Sequence, residues 1–207
     1  VVNPLVGAGE VERVAGGYQF TEGPQWRATE GDLVFTDIPA STIFRYVPGG
    51  SEPTPLRMPS GMANGLAIAP DGALWAAEHG SRTVSRDAVA MASRFEGGRL
   101  NSPNDLVIAE DGTVYFTDPP FGIGDQPGEL PFMGVFRLAG TTLTAEHRGA
   151  LPTETPVGRG EVVDALHTAE RGLHRPLARD VRAEPERREQ LERLHVLLRV
   201  AALAAEE

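Results

Sequence analysis

The 207 residues contain no cysteine and no lysine. Without cysteine there is neither a disulfide framework nor a thiolate metal site, and sulfur chemistry says nothing about compartment. Without lysine, all 19 basic residues are arginine, the usage expected of a GC-rich coding sequence. Positive charge is scarce as well. The 29 acids leave a formal net charge of −10, which argues against nucleic-acid binding, since that needs a basic face. No apolar run is long enough to cross a bilayer, so neither nucleic acid nor a membrane is expected as a partner. No signal peptide is visible, although a chain beginning Val1-Val2 could have lost or omitted a leader. The expected compartment is cytoplasmic, with periplasm and secretion left open. Aromatic residues are missing beyond Phe136.

Against these absences stands a repeat. Gly31-Asp32-Leu33-Val34-Phe35-Thr36-Asp37, Gly72-Ala73-Leu74-Trp75-Ala76-Ala77-Glu78 and Gly112-Thr113-Val114-Tyr115-Phe116-Thr117-Asp118 are three versions of one text, their glycines 41 and 40 residues apart. Each copy is followed by a strand ending in arginine, at Arg45, Arg86 and Arg137. Asp71-Gly72 and Asp111-Gly112 are hairpin signals between apolar runs. The pairs Gly49-Gly50 and Gly97-Gly98 are expected to mark turns between repeats. Short strands at a period of about 40 residues are the signature of propeller blades. A four-stranded blade buries both faces, which accounts for apolar runs without strict alternation. Upstream of the three copies lie Glu22, Asn64 and Asn104 at matching places. Equivalent positions in a propeller converge on its axis, and three oxygen-bearing side chains there suggest a hard-metal site.

The text changes near residue 140. From Arg148 onward ten arginines meet eleven acids, breakers accumulate and the strand pattern is lost. From Pro185 a helical pattern returns, with Leu191, Leu194, Leu198 and Ala202 on one stripe of a helix expected over 186–205. The expected fold is therefore all-β: a partial propeller of about three blades over residues 1–147. The tail, 148–207, reads as an irregular linker and a C-terminal α-helix. Its Arg-, Ala- and Leu-rich text reads either as an out-of-frame product or as a native tail.

Several motifs in order resemble the gluconolactonase family, which includes regucalcin (senescence marker protein) and luciferin-regenerating enzyme. They are Thr21-Glu22-Gly23-Pro24-Gln25-Trp26, Leu33-Val34-Phe35-Thr36-Asp37-Ile38-Pro39, Asn101-Ser102-Pro103-Asn104-Asp105-Leu106 and Tyr115-Phe116-Thr117-Asp118-Pro119-Pro120-Phe121-Gly122. The resemblance covers about residues 10 to 138. It implies a six-bladed propeller, one divalent cation in the axial tunnel and hydrolysis of sugar lactones. Ca²⁺ is the first choice of cation, with Mg²⁺ or Zn²⁺ as alternatives. Glu22 of Glu-Gly-Pro and Asn104 of Pro-Asn-Asp match metal ligands of the family. The family's remaining Asn and Asp ligands, the latter its usual general base, come from later blades and have no match here, so the catalytic base is unassigned.

Each residue carries a plainer reading beside the functional one. Glu22 could be an exposed turn residue and Asn104 a turn cap. Asn64 reads equally as pocket lining or as structural. Asp105 either holds Asn104 in place or contacts substrate, and Phe121 either walls the pocket or packs in the core. Asp37, Glu78 and Asp118 are expected to bond to backbone in neighbouring turns, and His79 reads as structural. The expected partner is a small lactone. Alternatives are arylesterase or phosphotriesterase chemistry on the same architecture, or an inactive truncated product. With three blades the open faces are expected to drive self-association, and the helix stripe is expected to pack onto part of them.

Overall fold

The structure, a computed structural model, describes residues 13–124 and 127–151, and every regular element among them is a strand. Blade 1 comprises β1 (Thr21–Arg27), β2 (Asp32–Asp37), β3 (Thr42–Tyr46) and β4 (Thr54–Arg57). Blade 2 comprises β5 (Ala63–Ile68), β6 (Leu74–Glu78), β7 (Thr83–Arg86) and β8 (Val89–Ala92). A two-stranded hairpin, β9 (Arg94–Phe95) and β10 (Gly98–Arg99), precedes blade 3. Blade 3 is built from β11 (Leu106–Ile108), β12 (Val114–Asp118), β13 (Phe132–Ala139) and β14 (Thr142–Ala150). Each blade is an antiparallel sheet whose strands follow one another in chain order. This is an all-β, partial propeller of three blades. The 147/148 boundary falls inside β14, which continues to Ala150. The linker and the helix expected over 186–205 lie outside the described residues.

The repeated glycines have a common physical cause. Gly31, Gly72 and Gly112 all take positive φ, at 66°, 87° and 81°, a region that costs residues with a Cβ. In blades 2 and 3 the turn is the same object twice. Gly72 N donates to Ala69 O at 2.8 Å and Gly112 N to Ala109 O at 2.9 Å. Asp71 and Asp111 cap the strand that follows, accepting from Ala73 N at 3.1 Å and Thr113 N at 2.9 Å. The third-strand arginines return to the first hairpin: Arg45 pairs with buried Asp32, and Arg86 with Asp71. The double-glycine expectation holds for one pair and needs correction for the other. Gly97-Gly98 sits at the turn of the β9–β10 hairpin, between blades 2 and 3, whereas Gly49-Gly50 turns between β3 and β4 inside blade 1. Glycine pairs mark tight reversals, and these occur within a sheet as well as between sheets.

Blade 2 shows why its strands read as continuous apolar runs. Leu66 and Ala76 point to one face, where they meet Val34 and Ile43 of blade 1. Their chain neighbours Ala67, Trp75 and Ala77 point to the other face, into a cluster with Leu106, Phe116, Phe136 and Leu138 of blade 3. Side chains alternate along a strand, so a blade with neighbours on both sides needs apolar residues at every position. On blade 1 the face turned from blade 2 carries Phe35 and Phe44, with Tyr18 against both rings at centroid distances of 5.1 and 5.0 Å.

Candidate functional site

The inner strands β1, β5 and β11 lie side by side, β5 in the middle. Each is irregular at its functional position. β1 slips register against β2 between Glu22 and Gln25, and β5 slips against β6 between Ala63 and Leu66. In blade 3, Asn104 and Asp105 precede the first paired residue of β11 and are held by Thr117: Asn104 N donates to Thr117 O at 2.9 Å, and Thr117 N to Asp105 O at 3.0 Å. A bulge re-aims the side chains beside it. The two bulges and the step into β11 lie at equivalent places on adjacent inner strands, so Glu22, Asn64 and Asn104-Asp105 fall in one row across the three blades.

The row is drawn tight by backbone contact. Gly65 N donates to Asn104 O at 2.8 Å, tying the bulge of blade 2 to the step into β11 of blade 3. Thr36 Oγ1 donates to Asn64 O at 3.0 Å and ties blade 1 to blade 2. The glycines in the bulges are required by space. A Cβ on Gly23 would lie 2.5 Å from Asn64 O, and one on Gly65 would lie 2.7 Å from Asp105 Cα.

Two carboxylates face this row without a cationic partner. Among the described residues no ion pair reaches Glu22 or Asp105. Glu22 is half-buried and, among the described residues, accepts only from its neighbour Gly23 N, at 3.3 Å. Loss of water raises its pKa, and the Gly23 N–H partly offsets this. Burial pushes Asp105 up to about 6. The Leu106 N–H at 2.8 Å opposes that shift, and the charge of Glu22 adds to it. The charge of one desolvated carboxylate thus disfavours the charge of the other.

Asn64 is buried, and its Nδ2 lies 3.1 Å from His79 Nε2. His79, at the outlet of β6, is 8% exposed, and burial lowers its pKa to about 4. Reading His79 as structural overlooked this partner. The available signal was a titratable side chain in blade 2 where the other blades carry Ile38 and Pro119. Phe121 is 46% exposed and not in the core. It stands at the tip of a loop fastened by Ser102, whose Oγ donates to Pro119 O at 2.6 Å and accepts from Gly122 N at 2.8 Å.

The three acids ending the central strands diverge. Asp37 accepts from Gln19 N and Phe20 N, both at 3.1 Å, and Asp118 from Asn101 N at 2.7 Å. Glu78 departs from the expected backbone role, because its carboxylate takes the side chains of Arg57, Ser81 and Ser85 instead. The extra methylene carries it past the backbone to the fourth strand of blade 1. No group of three or more His, Cys, Asp or Glu side chains among the described residues is arranged to hold a metal ion. Any cation here would depend on amide oxygens as well as carboxylates.

Stacked four-stranded antiparallel blades in chain order define a β-propeller. The SMP-30/gluconolactonase/LRE-like region matches residues 20–151, and the chain belongs to that family. A gluconolactonase from Zymomonas mobilis is 35% identical in an alignment of 153 positions that covers 62% of this chain and 42% of the relative. A solved gluconolactonase from Xanthomonas campestris shares 31% identity at a TM-score of 0.62, over 65% of this chain and 50% of that one. A further solved structure, a gluconolactonase by assignment, shares 34% identity at a TM-score of 0.63, over 68% and 52%. The chain thus spans about half the length of these relatives.

Proposed function

We propose that the axial row is part of a sugar-lactone hydrolase site of gluconolactonase type, completed by further blades. One observation carries this reading. Glu22, Asn64 and Asn104-Asp105 occupy equivalent places on the inner strands of three successive blades, and the two carboxylates there have no arginine partner among the described residues. The 31–35% identity to gluconolactonases supports it.

The donor chemistry suits a hard divalent cation, Ca²⁺ first and Mg²⁺ or Zn²⁺ as alternatives, because every donor is oxygen and two carboxylates are left uncompensated. Glu22 would hold it by its carboxylate and Asn104 by its amide oxygen. Such a cation, when bound, supplies polarisation of the lactone carbonyl and a more acidic water. The residues of this chain do the positioning. Asn64 and Asp105 line the pocket and accept hydrogen bonds from ring hydroxyls. The loop carrying Phe121 stands beside the His79–Asn64 pair and sets one wall of the opening.

The test is a chimera in which residues 20–151 replace the matching part of the Zymomonas mobilis gluconolactonase, which supplies the other blades. It should release acid from glucono-δ-lactone above the spontaneous rate. It should lose that activity in EDTA, and Glu22→Gln should lower it at least roughly 100-fold, as expected when a charged ligand is lost. Turnover indifferent to both EDTA and Glu22→Gln would overturn the reading.

A further inference from the structure

The Asn64–His79 contact has a chemical direction. A carboxamide nitrogen only donates, and a neutral imidazole nitrogen accepts only when the other ring nitrogen carries the proton. At 3.1 Å from Asn64 Nδ2, His79 Nε2 is therefore the bare nitrogen, and the proton sits on Nδ1. The surroundings hold the residue in place. Gly122 lies so close that a Cβ there would be 2.7 Å from His79 Cβ and 3.0 Å from Ser102 Cβ. The ring backbone is fixed in turn, with His79 N donating to Met62 O at 3.1 Å and Arg82 N to His79 O at 3.2 Å. Burial alone, with no charged neighbour contributing, disfavours the imidazolium.

The other end of the amide is open. Asn64 O is occupied by Thr36 Oγ1 and Asn64 Nδ2 by His79, whereas no side chain or backbone group among the described residues donates to Asn64 Oδ1. Nor is that oxygen among the sealed, unpartnered polar atoms of the described residues. An unrestrained carboxamide can rotate by half a turn and exchange donor for acceptor. One that donates to a fixed ring nitrogen cannot do so without facing oxygen to a lone pair.

We propose that His79 is a positioning residue: its neutral, Nδ1-protonated ring clamps Asn64 by Nδ2, so that Oδ1 is offered to the axis as a committed acceptor for a substrate hydroxyl. With the carboxylates of Glu22 and Asp105 in the same row, this makes an acceptor-rich wall that selects ring polyols, which are rich in donors, over ligands that bring only carbonyl or ether oxygens. The inference rests on the pocket-lining role of Asn64 in the lactonase reading.

Long-range ¹H–¹⁵N correlation spectra of the 207-residue chain, labelled at histidine, test the clamp directly. His79 should show a protonated Nδ1 and a bare Nε2 at pH 7. An Nε2–H tautomer or an imidazolium would overturn the proposal whatever the chain binds. The second arm uses 1,5-anhydroglucitol, a ring polyol without a lactone carbonyl, with the Asn64 side-chain amide followed during titration. His79→Phe fills the volume without an acceptor and should weaken binding roughly tenfold, the loss of one hydrogen bond. His79→Gln keeps an acceptor and should stay within about threefold of the parent. Phe binding as well as the parent, or better than Gln, would show that the ring only fills space and would overturn the positioning role. If the tautomer is as stated but the parent binds no polyol, the clamp stands and the lactone-site reading falls.

Discussion

The two interfaces of blade 2 hold the same propeller together by different means. Toward blade 3 the contact is large and aromatic: Phe116 and Phe136 are fully buried, stacked at 5.3 Å, with Phe95 and Phe132 around Phe136. Toward blade 1 the apolar contact is a handful of aliphatic side chains, chiefly Val34, Ile43, Leu66 and Ala76. Polar ties supplement it there: Arg57 of β4 reaches Glu78 of β6, and Thr36 bonds to Asn64 O. A non-directional hydrophobic contact needs only volume, so it tolerates the small differences between blades that a repeat accumulates. A polar tie needs its partner at one distance, so it fixes the angle between blades. The row of Glu22, Asn64 and Asn104-Asp105 crosses both interfaces and is tied at each, by Thr36 Oγ1 to Asn64 O on the blade 1 side and by Gly65 N to Asn104 O on the blade 3 side.

The sharpest way to break this comparison is on the aromatic side. Phe136→Ala should cost about 3–5 kcal/mol through lost burial and a residual cavity, read as a lower midpoint in urea unfolding. A loss near 1 kcal/mol would mean that the blade 2–blade 3 contact is not the main store of stability. Next in size is Gly65→Ala. Its Cβ would meet Asp105 Cα at 2.7 Å and Asn104 O at 2.9 Å, and backbone cannot yield as a side-chain tip can. About 1–3 kcal/mol of overpacking strain is expected, and the axial row should open, so that Ca²⁺ no longer raises the melting temperature. Unchanged stability and Ca²⁺ response would show that the bulges are not in register.

Two buried groups should give opposed pH effects. His79 has a folded pKa of about 4, below its usual 6.5. Its contribution is complete above pH 6.5 and is lost as pH falls toward 4. Asp118 has a folded pKa of about 7, above its usual 3.8. Burial raises it, and the Asn101 N–H and Arg82 oppose the shift. Its contribution is complete below pH 3.8 and is lost as pH rises toward 7. Each slope is at most about 1.4 kcal/mol per pH unit, and between roughly pH 4 and 6 they cancel, while Asp105, raised to about 6 by burial, adds a second loss with rising pH. His79→Gln should therefore lose stability steeply from pH 4.5 to 6, and Asp118→Asn should change little, because Asp105 and His79 then offset each other. Parallel profiles for the two variants would refute this opposition. Smallest is Ile43→Val in the aliphatic interface, at about 0.5–1.5 kcal/mol. A loss as large as that of Phe136→Ala would erase the contrast between the two sides.

Much of this molecule is legible without coordinates, because its repeat is local. The positive-φ glycines at 31, 72 and 112, the aspartates that cap the strand after each hairpin, and the alternation that buries both faces of blade 2 depend on residues within a few positions of one another. Equal spacing then places Glu22, Asn64 and Asn104 at one level of three blades. What only the tertiary structure decided are the meetings between blades. Asp37, Glu78 and Asp118 hold the same place in the text, yet one added methylene sends Glu78 to Arg57 across the interface while the aspartates stay on backbone. The influence of Glu22 on Asp105, more than 80 residues away in the chain, follows from the stacking of inner strands. His79 acquires its role only because β6 delivers it beside Asn64 and a loop of blade 3 closes over it. Periodicity determines which residues share a level. Side-chain length and the angle between packed sheets decide which of them touch.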